Sequence, residues 1–445
     1  MSSFRKNTVT NFRHLTLRFT IPAAGLAAII GFALLYQLEP ESYYRVLAFI
    51  GIKPFRYPFL DFQFILASVD CWQHGVDVYV NNPCDVLGRP FNYSPLWLRF
   101  AILPGKDWTN PLGLCLGVAF FLALAVLPTP RSGKELLLRL IATLSPVTTF
   151  AVERGNIDLI MFVIATAAGV LLLRSLRGRA VAYAMIVTAG LLKFYPLVLM
   201  ALTLHERPRV FLWVNGAVAA MVLTMAFYFH AELVEVLNLP SGGTIGAHYL
   251  PDVIAKMVGK VVHPGFPLRL VKLVMIAVLF VAMAGWLFRM VGWRNFRVAL
   301  ARLPEPERLF LLIGAALIGG CFFAGSNNGY RAIHLLFTLP GLLAMGHMTD
   351  DLRVQKAAML AYVLVVALTW SSFFMWQGLF PQILASWIGE VPSAAVVRFL
   401  WLVSQIAWWQ VATLFVAILI GCCSNWLEAV PEWRHLLRRR KATRR

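Results

Sequence analysis

The chain has 445 residues, of which 59% are hydrophobic and only 14% are charged, and its formal net charge is +19. The charged fraction lies well below the roughly 25% typical of soluble domains, which excludes a soluble globular protein. The positive balance does not indicate nucleic-acid binding, because no nucleic-acid-binding motif accompanies it. Apolar runs of about 18–25 residues recur from end to end, each long enough to cross a bilayer. We therefore predict an all-α, polytopic membrane protein with a single integral-membrane domain over residues 1–445.

Apolar segments follow one another along the whole chain, and they predict a bundle of about twelve transmembrane helices. The first segment is too long for the core of a signal peptide, so we expect an uncleaved first helix. The segments lie at residues 17–37, 108–128, 135–151, 157–173, 180–193, 196–204, 209–229, 267–289, 307–324, 331–348, 356–376 and 398–423.

The stretch GLLKFYPLVL, residues 190–199, interrupts this pattern with a lysine and a proline inside an apolar run. Pro196 removes a helical hydrogen bond, and residues 196–204 would span only about 14 Å as a helix, against a hydrocarbon core of about 30 Å. Residues 180–204 therefore form either two short helices that meet at KFYP or one kinked crossing. Broken helices persist in membranes only where protein buries them or where they line a wet cavity.

The distribution of Lys and Arg favours two short crossings. With both termini in the cytoplasm, this arrangement puts most basic residues inside, including the basic tail at 427–445, as the positive-inside rule requires. The long loops at 38–107 and 230–266 then face outwards, as do the ERGN, KFYP and SNNGYR turns. We therefore expect a multi-pass protein of the cell (inner) membrane whose polar residues gather at its extracytoplasmic face.

The sequence contains six cysteines, and two of them, Cys71 and Cys84, fall in the first long loop. A disulfide between them suits an oxidising compartment, and two free thiols agree with the sequence equally well. There is no CxxC motif and no His/Cys spacing suited to zinc, so no metal site is predicted from the cysteines.

Asp61 opens an amphipathic stretch shortly after the first helix leaves the membrane. A carboxylate there can act as a general base on a hydroxyl group within hydrogen-bond reach. Asp is also a good N-cap, and the spacing alone favours a cap for the helix that follows. Further along, LSPVTTFAVERGNIDLIMF places Glu153, Arg154, Asn156 and Asp158 between two apolar runs. These side chains form either a solvated turn with an internal Glu–Arg pair or the floor of an outer cavity.

Lys193 and Tyr195 in KFYP, with Arg331 in SNNGYRAIH, complete the polar candidates. An intramembrane lysine usually has an anionic partner, so Lys193 either binds a ligand or forms a structural ion pair with Glu153 or Asp158. Arg331 either joins the same site or snorkels to the interface. Three other polar or aromatic side chains lie close to it in sequence: Asn328, Tyr330 and His334.

Two fixed cations at one membrane depth repel each other, so an anion is expected between Lys193 and Arg331. A lipid phosphate or pyrophosphate is the natural anion at that depth. Lys binds a phosphate as a point charge, and the Arg guanidinium can donate hydrogen bonds to two phosphate oxygens at once.

The first loop has an Asp near its start, then HGVDVY and FNYSPL, and ERGNIDLIMF and GLLKFYPLVLM follow. The order of these motifs resembles glycosyltransferase family 87, polyprenol-phosphate-dependent enzymes of the GT-C superfamily. Family members carry a D…G…Y…Y-P-P-L pattern, a G-x-x-N turn and a G…L-K-x-Y-P segment. The resemblance covers residues 60–205, and the rest of the chain only by hydropathy. It departs from the family at Ser94, where proline is usual, and in the ERGN turn, where GQ-N is usual.

The resemblance implies a GT-C-type bundle that transfers a hexose, often mannose, from a polyprenyl phosphate to an acceptor hydroxyl on the extracytoplasmic side, with inversion. Asp61 matches the position of the family's catalytic base. Lys193 and Arg331 would hold the donor phosphate, with Tyr195 and Tyr93 as hydrogen-bond donors. The side chains expected to line the cavity are Glu153, Arg154, Asn156, Asn328, Tyr330 and His334.

The expected partners are a polyprenyl-phosphate sugar donor, a lipid-linked or glycan acceptor, and membrane lipids. No cofactor is expected, because the sugar arrives on a lipid rather than on a nucleotide, although a divalent cation held by Asp61 and Glu153 stays open. Two other classes also stay open: a transporter or flippase for lipid-linked sugars, which would not need Asp61, and a non-catalytic membrane assembly subunit.

Overall fold

The computed structural model describes residues 2–53, 55–100, 103–239, 268–324, 329–374, 379–429 and 431. Every regular element in these ranges is a helix, which confirms the all-α class. The α-helices are α1 (Ser2–Leu38), α2 (Pro40–Phe49), α3 (Leu60–Gln73), α4 (Thr109–Leu124), α5 (Gly133–Thr143), α6 (Pro146–Glu153), α7 (Ile157–Leu172), α8 (Leu176–Lys193), α9 (Pro208–Tyr228), α10 (His230–Asn238), α11 (Leu268–Val291), α12 (Trp293–Arg302), α13 (Glu305–Ala324), α14 (Leu339–Met348), α15 (Leu352–Thr369), α16 (Leu379–Ile388) and α17 (Glu390–Ala429). The shorter 3₁₀ helices are Pro95–Arg99, Lys106–Trp108, Tyr195–His205, Gly329–Phe337 and Ser371–Phe374.

Among the described residues, six helices are long and apolar enough to cross a membrane, and the number rises to eight if each of two bent pairs is one span. The bent pairs are α5 with α6, at 46°, and α11 with α12, at 77°. The six unbroken candidates are α1 from Leu15, α4 with the turn before it, α9, α13, α15 and α17. These helices are consistent with a multi-pass membrane protein, but they do not amount to the predicted bundle of about twelve crossings.

Several of the predicted crossings are half-length helices that pack inside the protein. Helix α7 has 16 residues, and the apolar segment at 331–348 divides between the 3₁₀ helix Gly329–Phe337 and α14. Most side chains of these elements are buried against other helices. An apolar run of this length does not by itself distinguish a crossing from a short buried helix, so the described residues do not confirm the predicted count of about twelve crossings.

Helix α13 lies at the centre of the packing. It contacts α7, α14, α17 and both long 3₁₀ helices. Its approach to α7 is close because Gly169 has no side chain there: a Cβ atom at Gly169 would meet the Phe310 ring at 2.9 Å. In contrast, α9 is almost entirely exposed, as expected for a helix that faces lipid. The buried core therefore lies around α13, where the broken helices meet.

The helix break predicted at KFYP is present. Helix α8 ends at Lys193, Phe194 adopts φ 61° and ψ −55°, and a 3₁₀ helix begins at Tyr195. The 3₁₀ segment packs back on α8, where a Cβ atom at Gly190 would meet Leu197 at 2.5 Å. The break thus turns the chain sharply and leaves Lys193 at the end of a helix, where a cation also suits the helix dipole.

The first loop, at 38–107, packs around a hydrophobic cluster that it shares with α7 and α8. Helix α3 packs on the 3₁₀ helix Pro95–Arg99, and a cluster of aromatic side chains fills the space between them. Cys71 and Cys84 form a disulfide, which settles the alternative that the sequence left open. Of the loop at 230–266, only α10 and Leu239 are described, and the basic tail lies largely outside the described residues.

The start of α3 is docked on the turn between α6 and α7. The backbone N–H of Phe59 donates to the carbonyl of Glu153 at 2.6 Å, and that of Asp61 donates to the carbonyl of Arg154 at 2.9 Å. These carbonyls satisfy N–H groups that the start of a helix leaves without partners. The turn requires glycine at 155, where φ is +55° and a Cβ atom would lie 3.0 Å from that of Phe62.

We expect Gly155→Ala to lower the free energy of unfolding by about 1–3 kcal/mol, because a left-handed alanine is strained and its methyl group would push α3 away. Thermal unfolding of the detergent-purified protein measures this. Gly216→Ala is the control, since Gly216 lies on the exposed α9 with no other group within 4 Å of a Cβ atom. Equal unfolding temperatures for the two variants would contradict the docking described here.

Candidate functional site

Asp158 lies in the first turn of α7, and its carboxylate is fully buried. Lys193 Nζ is 2.9 Å from Asp158 Oδ1, and Arg331 Nε is 3.5 Å from Oδ2. The Tyr195 hydroxyl donates a hydrogen bond to Oδ1 at 2.6 Å. The anion predicted between the two cations is therefore present as a side chain of the protein, and the structural ion pair of Lys193 with Asp158 is formed.

His334 extends this cluster into the protein core. Its ring lies nearly parallel to those of Phe162 and Phe337, with ring centres 6.1 and 6.2 Å away, and its Nε2 lies 2.7 Å from the Tyr195 hydroxyl oxygen. Because that hydroxyl gives its only proton to Asp158, Nε2 must carry the hydrogen of this bond. His334 is thus a fully buried donor that orients Tyr195 rather than a group on the cavity wall.

Two aromatic rings cover the cations, and a third ring lies near them. Lys193 Nζ lies 5.6 Å from the centre of the Tyr93 ring, and the Arg331 guanidinium lies 5.0 Å from that of Tyr195. Tyr330 packs on the ring of Phe150 at 5.3 Å. Tyr93 therefore contacts Lys193 through its ring, which stabilises a cation by its negative face.

Asp61 lies beside this cluster but is not part of the ion pair. Its Oδ2 accepts a hydrogen bond from Asn156 Nδ2 at 2.6 Å, and its Oδ1 accepts one from Arg89 Nη1 at 3.4 Å. Its side chain keeps 17% of its surface exposed. The residue before α3 is Phe59, which makes no side-chain cap, so the interpretation of Asp61 as the N-cap is wrong.

Arg89, which sequence reasoning missed, holds Asp61 from the other side. Its Nε and Nη2 bond both carboxylate oxygens of Asp85 at 2.9 Å, and Nη2 also donates to the Leu60 carbonyl at 3.0 Å. Burial by itself would lower the pKa of Arg89, but the hydrogen bonds and charge of Asp85, with the charge of Asp61, raise it. The opposite charges four residues apart in CDVLGRPF were the available signal, and they did not indicate Asp61 as the third partner.

Asn156 connects Asp61 with the ion cluster. Its side chain caps α7: Oδ1 accepts from the Asp158 backbone N–H at 2.9 Å and from Lys193 Nζ at 3.2 Å. Its amide nitrogen then donates to Asp61. One side chain thus separates the candidate base from the candidate phosphate-binding lysine.

Glu153 and Arg154 form an ion pair of 3.1 Å, but the pair is buried, so the interpretation as a solvated turn is wrong. Arg154 Nη2 donates to the Lys53 carbonyl at 3.0 Å, and its guanidinium lies 3.9 Å from the centre of the Phe55 ring. Through Arg154, this ion pair therefore holds the segment that contains Lys53 and Phe55, just before α3, against the turn between α6 and α7. Asn328 lies outside the described residues.

An apolar cavity of about 310 Å³ lies next to the docked start of α3, between α1, α2, α4, α5 and α6. Phe59 and Glu153 form part of its wall. Its volume is at the lower end of the range of small-molecule sites. Among the described residues, no group of three or more His, Cys, Asp or Glu side chains is arranged to hold a metal ion.

Backbone strain coincides with these residues. Phe59 and Phe194 are the non-glycine residues with positive φ in the described part of the chain, at 56° and 61°. Phe59 lies two residues before Asp61, and Phe194 directly follows Lys193. Strain of this kind persists only where the surrounding structure imposes it, and it concentrates at functional sites.

The buried and partly buried charges of the candidate site are equal in number and opposite in sign. Its carboxylates are Asp61, Asp85, Glu153 and Asp158, and its cations are Arg89, Arg154, Lys193 and Arg331. Around Asp158 alone, however, two cations face one carboxylate. The local surplus is a single positive charge, beside the partly exposed carboxylate of Asp61.

Comparison with known protein families, with curated proteins and with solved structures finds no match to this chain.

We expect Asp158→Asn to lower the free energy of unfolding by about 3–5 kcal/mol, because it leaves two buried cations without their carboxylate. Lys193→Met should lower it less, since Arg331 and Tyr195 still bind Asp158. From the sequence alone Lys193→Met would be expected to fold as well as the wild type, and the contact with Asp158 reverses this expectation. Thermal unfolding in detergent measures both changes.

The double variant Asp158→Asn/Lys193→Met should be more stable than Asp158→Asn alone, because it removes the repulsion between the cations. Asp350→Asn is the control: its ion pair with Arg302 is exposed, and its loss should have little effect. If the loss of unfolding free energy in the double variant equals the sum of the losses in the two single variants, Asp158 and Lys193 are not coupled.

Proposed function

We propose that the protein is an inverting membrane glycosyltransferase that moves a hexose such as mannose from a polyprenyl phosphate to an acceptor hydroxyl. The observation that carries this proposal is the separation of Asp61 from Lys193 by one amide group, Asn156, with Asp61 partly exposed. A glycosyl transfer of this type needs a carboxylate base and a cationic site for a phosphate, held at a fixed spacing.

The reaction follows from these positions. Asp61 takes the proton of the acceptor hydroxyl, and the oxygen forms a bond to C1 of the sugar. The bond between C1 and the phosphate oxygen breaks on the opposite side, and its electron pair leaves with the phosphate. Lys193 and Arg331 stabilise the charge that develops there, while the rings of Tyr93 and Tyr195 hold the two cations in place.

The local surplus of one positive charge supports a phosphodiester as the ligand. A sugar linked through phosphate to a polyprenol carries one negative charge, which that surplus would neutralise. The apolar cavity beside Phe59 offers a place for a hydrocarbon chain, in agreement with a lipid-linked donor or acceptor. No metal ion takes part in the proposed reaction, and the pairing of Glu153 with Arg154 leaves it poorly placed to share a cation with Asp61.

The disulfide between Cys71 and Cys84 supports an extracytoplasmic site, because such bonds persist in oxidising compartments. It lies in the same folded loop as Asp61. We therefore propose that this loop and the ion cluster face the outer side of the cell membrane.

A second candidate is a transporter or flippase for lipid-linked sugars. It is favoured by the partial neutralisation of Lys193 and Arg331 by Asp158, which a site for reversible binding of an anionic headgroup could share. Such a protein needs the cations but has no use for a base at Asp61.

Asp61→Asn should lower the rate of sugar transfer by roughly 100-fold or more and leave donor binding largely intact. Purified protein with labelled polyprenyl-phosphate sugars provides the assay. Asp70→Asn on the same helix is the control, because Asp70 is partly exposed, lies away from the cluster and pairs only with His74 among the described contacts. Normal turnover by Asp61→Asn would contradict the proposed mechanism and favour the transporter.

The proposed orientation can be tested by cysteine labelling of intact cells in a Cys115→Ser background. Val80→Cys, at a position that is 73% exposed in the first loop, should react with a membrane-impermeant maleimide. Leu176→Cys, at a position 68% exposed at the start of α8, should react only after permeabilisation. The reverse pattern would place the candidate site on the cytoplasmic side.

A further inference from the structure

The amide of Asn156 has only one orientation that satisfies its surroundings. Its Oδ1 faces two donors, the Asp158 N–H at 2.9 Å and Lys193 Nζ at 3.2 Å, neither of which can accept a hydrogen bond. Rotation of the amide by 180° would place donors against donors inside the protein. Its Nδ2 must therefore point at Asp61, where the distance is 2.6 Å.

We infer that Asn156 is a positioning residue for the proposed transfer: it holds Asp61 as a hydrogen-bond acceptor at a fixed spacing from Lys193. This inference rests on the proposed function. Asn156 is fully buried, so its three hydrogen bonds are shielded from water. Asp61 would otherwise be held by Arg89 alone, through a longer contact of 3.4 Å.

A helix cap by itself does not explain an asparagine here. Capping uses only the side-chain oxygen, and Ser or Asp performs it about as well. In this chain Ser132 and Ser175 cap α5 and α8 in that way. What asparagine adds at 156 is the NH₂ group that reaches Asp61.

Asn156→Ser separates the two roles, since serine keeps a cap and lacks the amide nitrogen. We expect kcat for sugar transfer to fall by about 10–100-fold, the usual effect of losing a group that orients a catalytic residue. The affinity for the polyprenyl-phosphate donor should stay close to the wild type, while the unfolding temperature should fall somewhat, because serine also gives up the buried contact with Lys193 Nζ. Ser175→Asn is the matched control, because it makes the reverse exchange at the cap of α8 and should leave kcat unchanged. A wild-type kcat in Asn156→Ser would overturn the inference.

A second measurement tests the inference even if Asn156→Ser folds poorly. Asn156→Asp puts two carboxylates face to face, so its unfolding temperature should fall. In the exchange variant Asp61→Asn/Asn156→Asp, the donor and the acceptor trade places. It should recover most of the lost unfolding temperature while staying inactive, because no base remains at 61. If the decrease in unfolding temperature of the exchange variant equals the sum of the decreases in the two single variants, the inferred pairing of Asn156 with Asp61 is overturned.

The two failures can be told apart. Absence of sugar transfer by the wild type with every polyprenyl-phosphate donor would overturn the proposed function. The unfolding cycle needs no activity and would still decide whether Asn156 holds Asp61.

Discussion

A buried carboxylate between two cations determines how this protein is assembled. Asp158 contacts both Lys193 and Arg331, and its carboxylate is fully buried. Each cation would be strongly destabilising without it, because an isolated charge in an apolar interior has lost its hydration. Three segments that are distant in sequence must therefore meet: the start of α7, the end of α8 and the 3₁₀ helix Gly329–Phe337.

The broken helices follow from this requirement. In a continuous helix through KFYP, Lys193 would lie in the middle of the helix, with one helical turn before it and one after it. Ending α8 at Lys193 and turning the chain at Phe194 brings Tyr195 to the same carboxylate. Half-helices are tolerated in a membrane protein only when other helices bury their open ends, and here α13 and α17 do so.

The sequence was sufficient for the coarse features because they depend on composition and local chemistry. Repeated apolar runs predicted several membrane crossings, and Pro196 predicted the break after Lys193. The number of crossings could not be fixed from the sequence, since hydropathy is the same for a lipid-facing helix and for a short buried helix such as α7. The partners of each charge depended on packing: Asp158 was one of two candidates for Lys193, and nothing local in sequence connected Arg89 with Asp61.

The arrangement also has a consequence for charge during the proposed transfer. When Asp61 accepts the acceptor proton, the negative charge at its end of the Asn156 bridge falls by one unit. At the same time, the phosphate at the Lys193 end changes from a diester with one charge to a monoester with up to two. The two changes cancel across a single buried amide, so the total charge of the site stays constant. A site whose carboxylates and cations already balance, with Asp158 fixed between Lys193 and Arg331, can therefore accommodate the reaction without taking up an ion. This is the electrostatic preorganisation that makes charge displacement rapid in a medium of low dielectric constant.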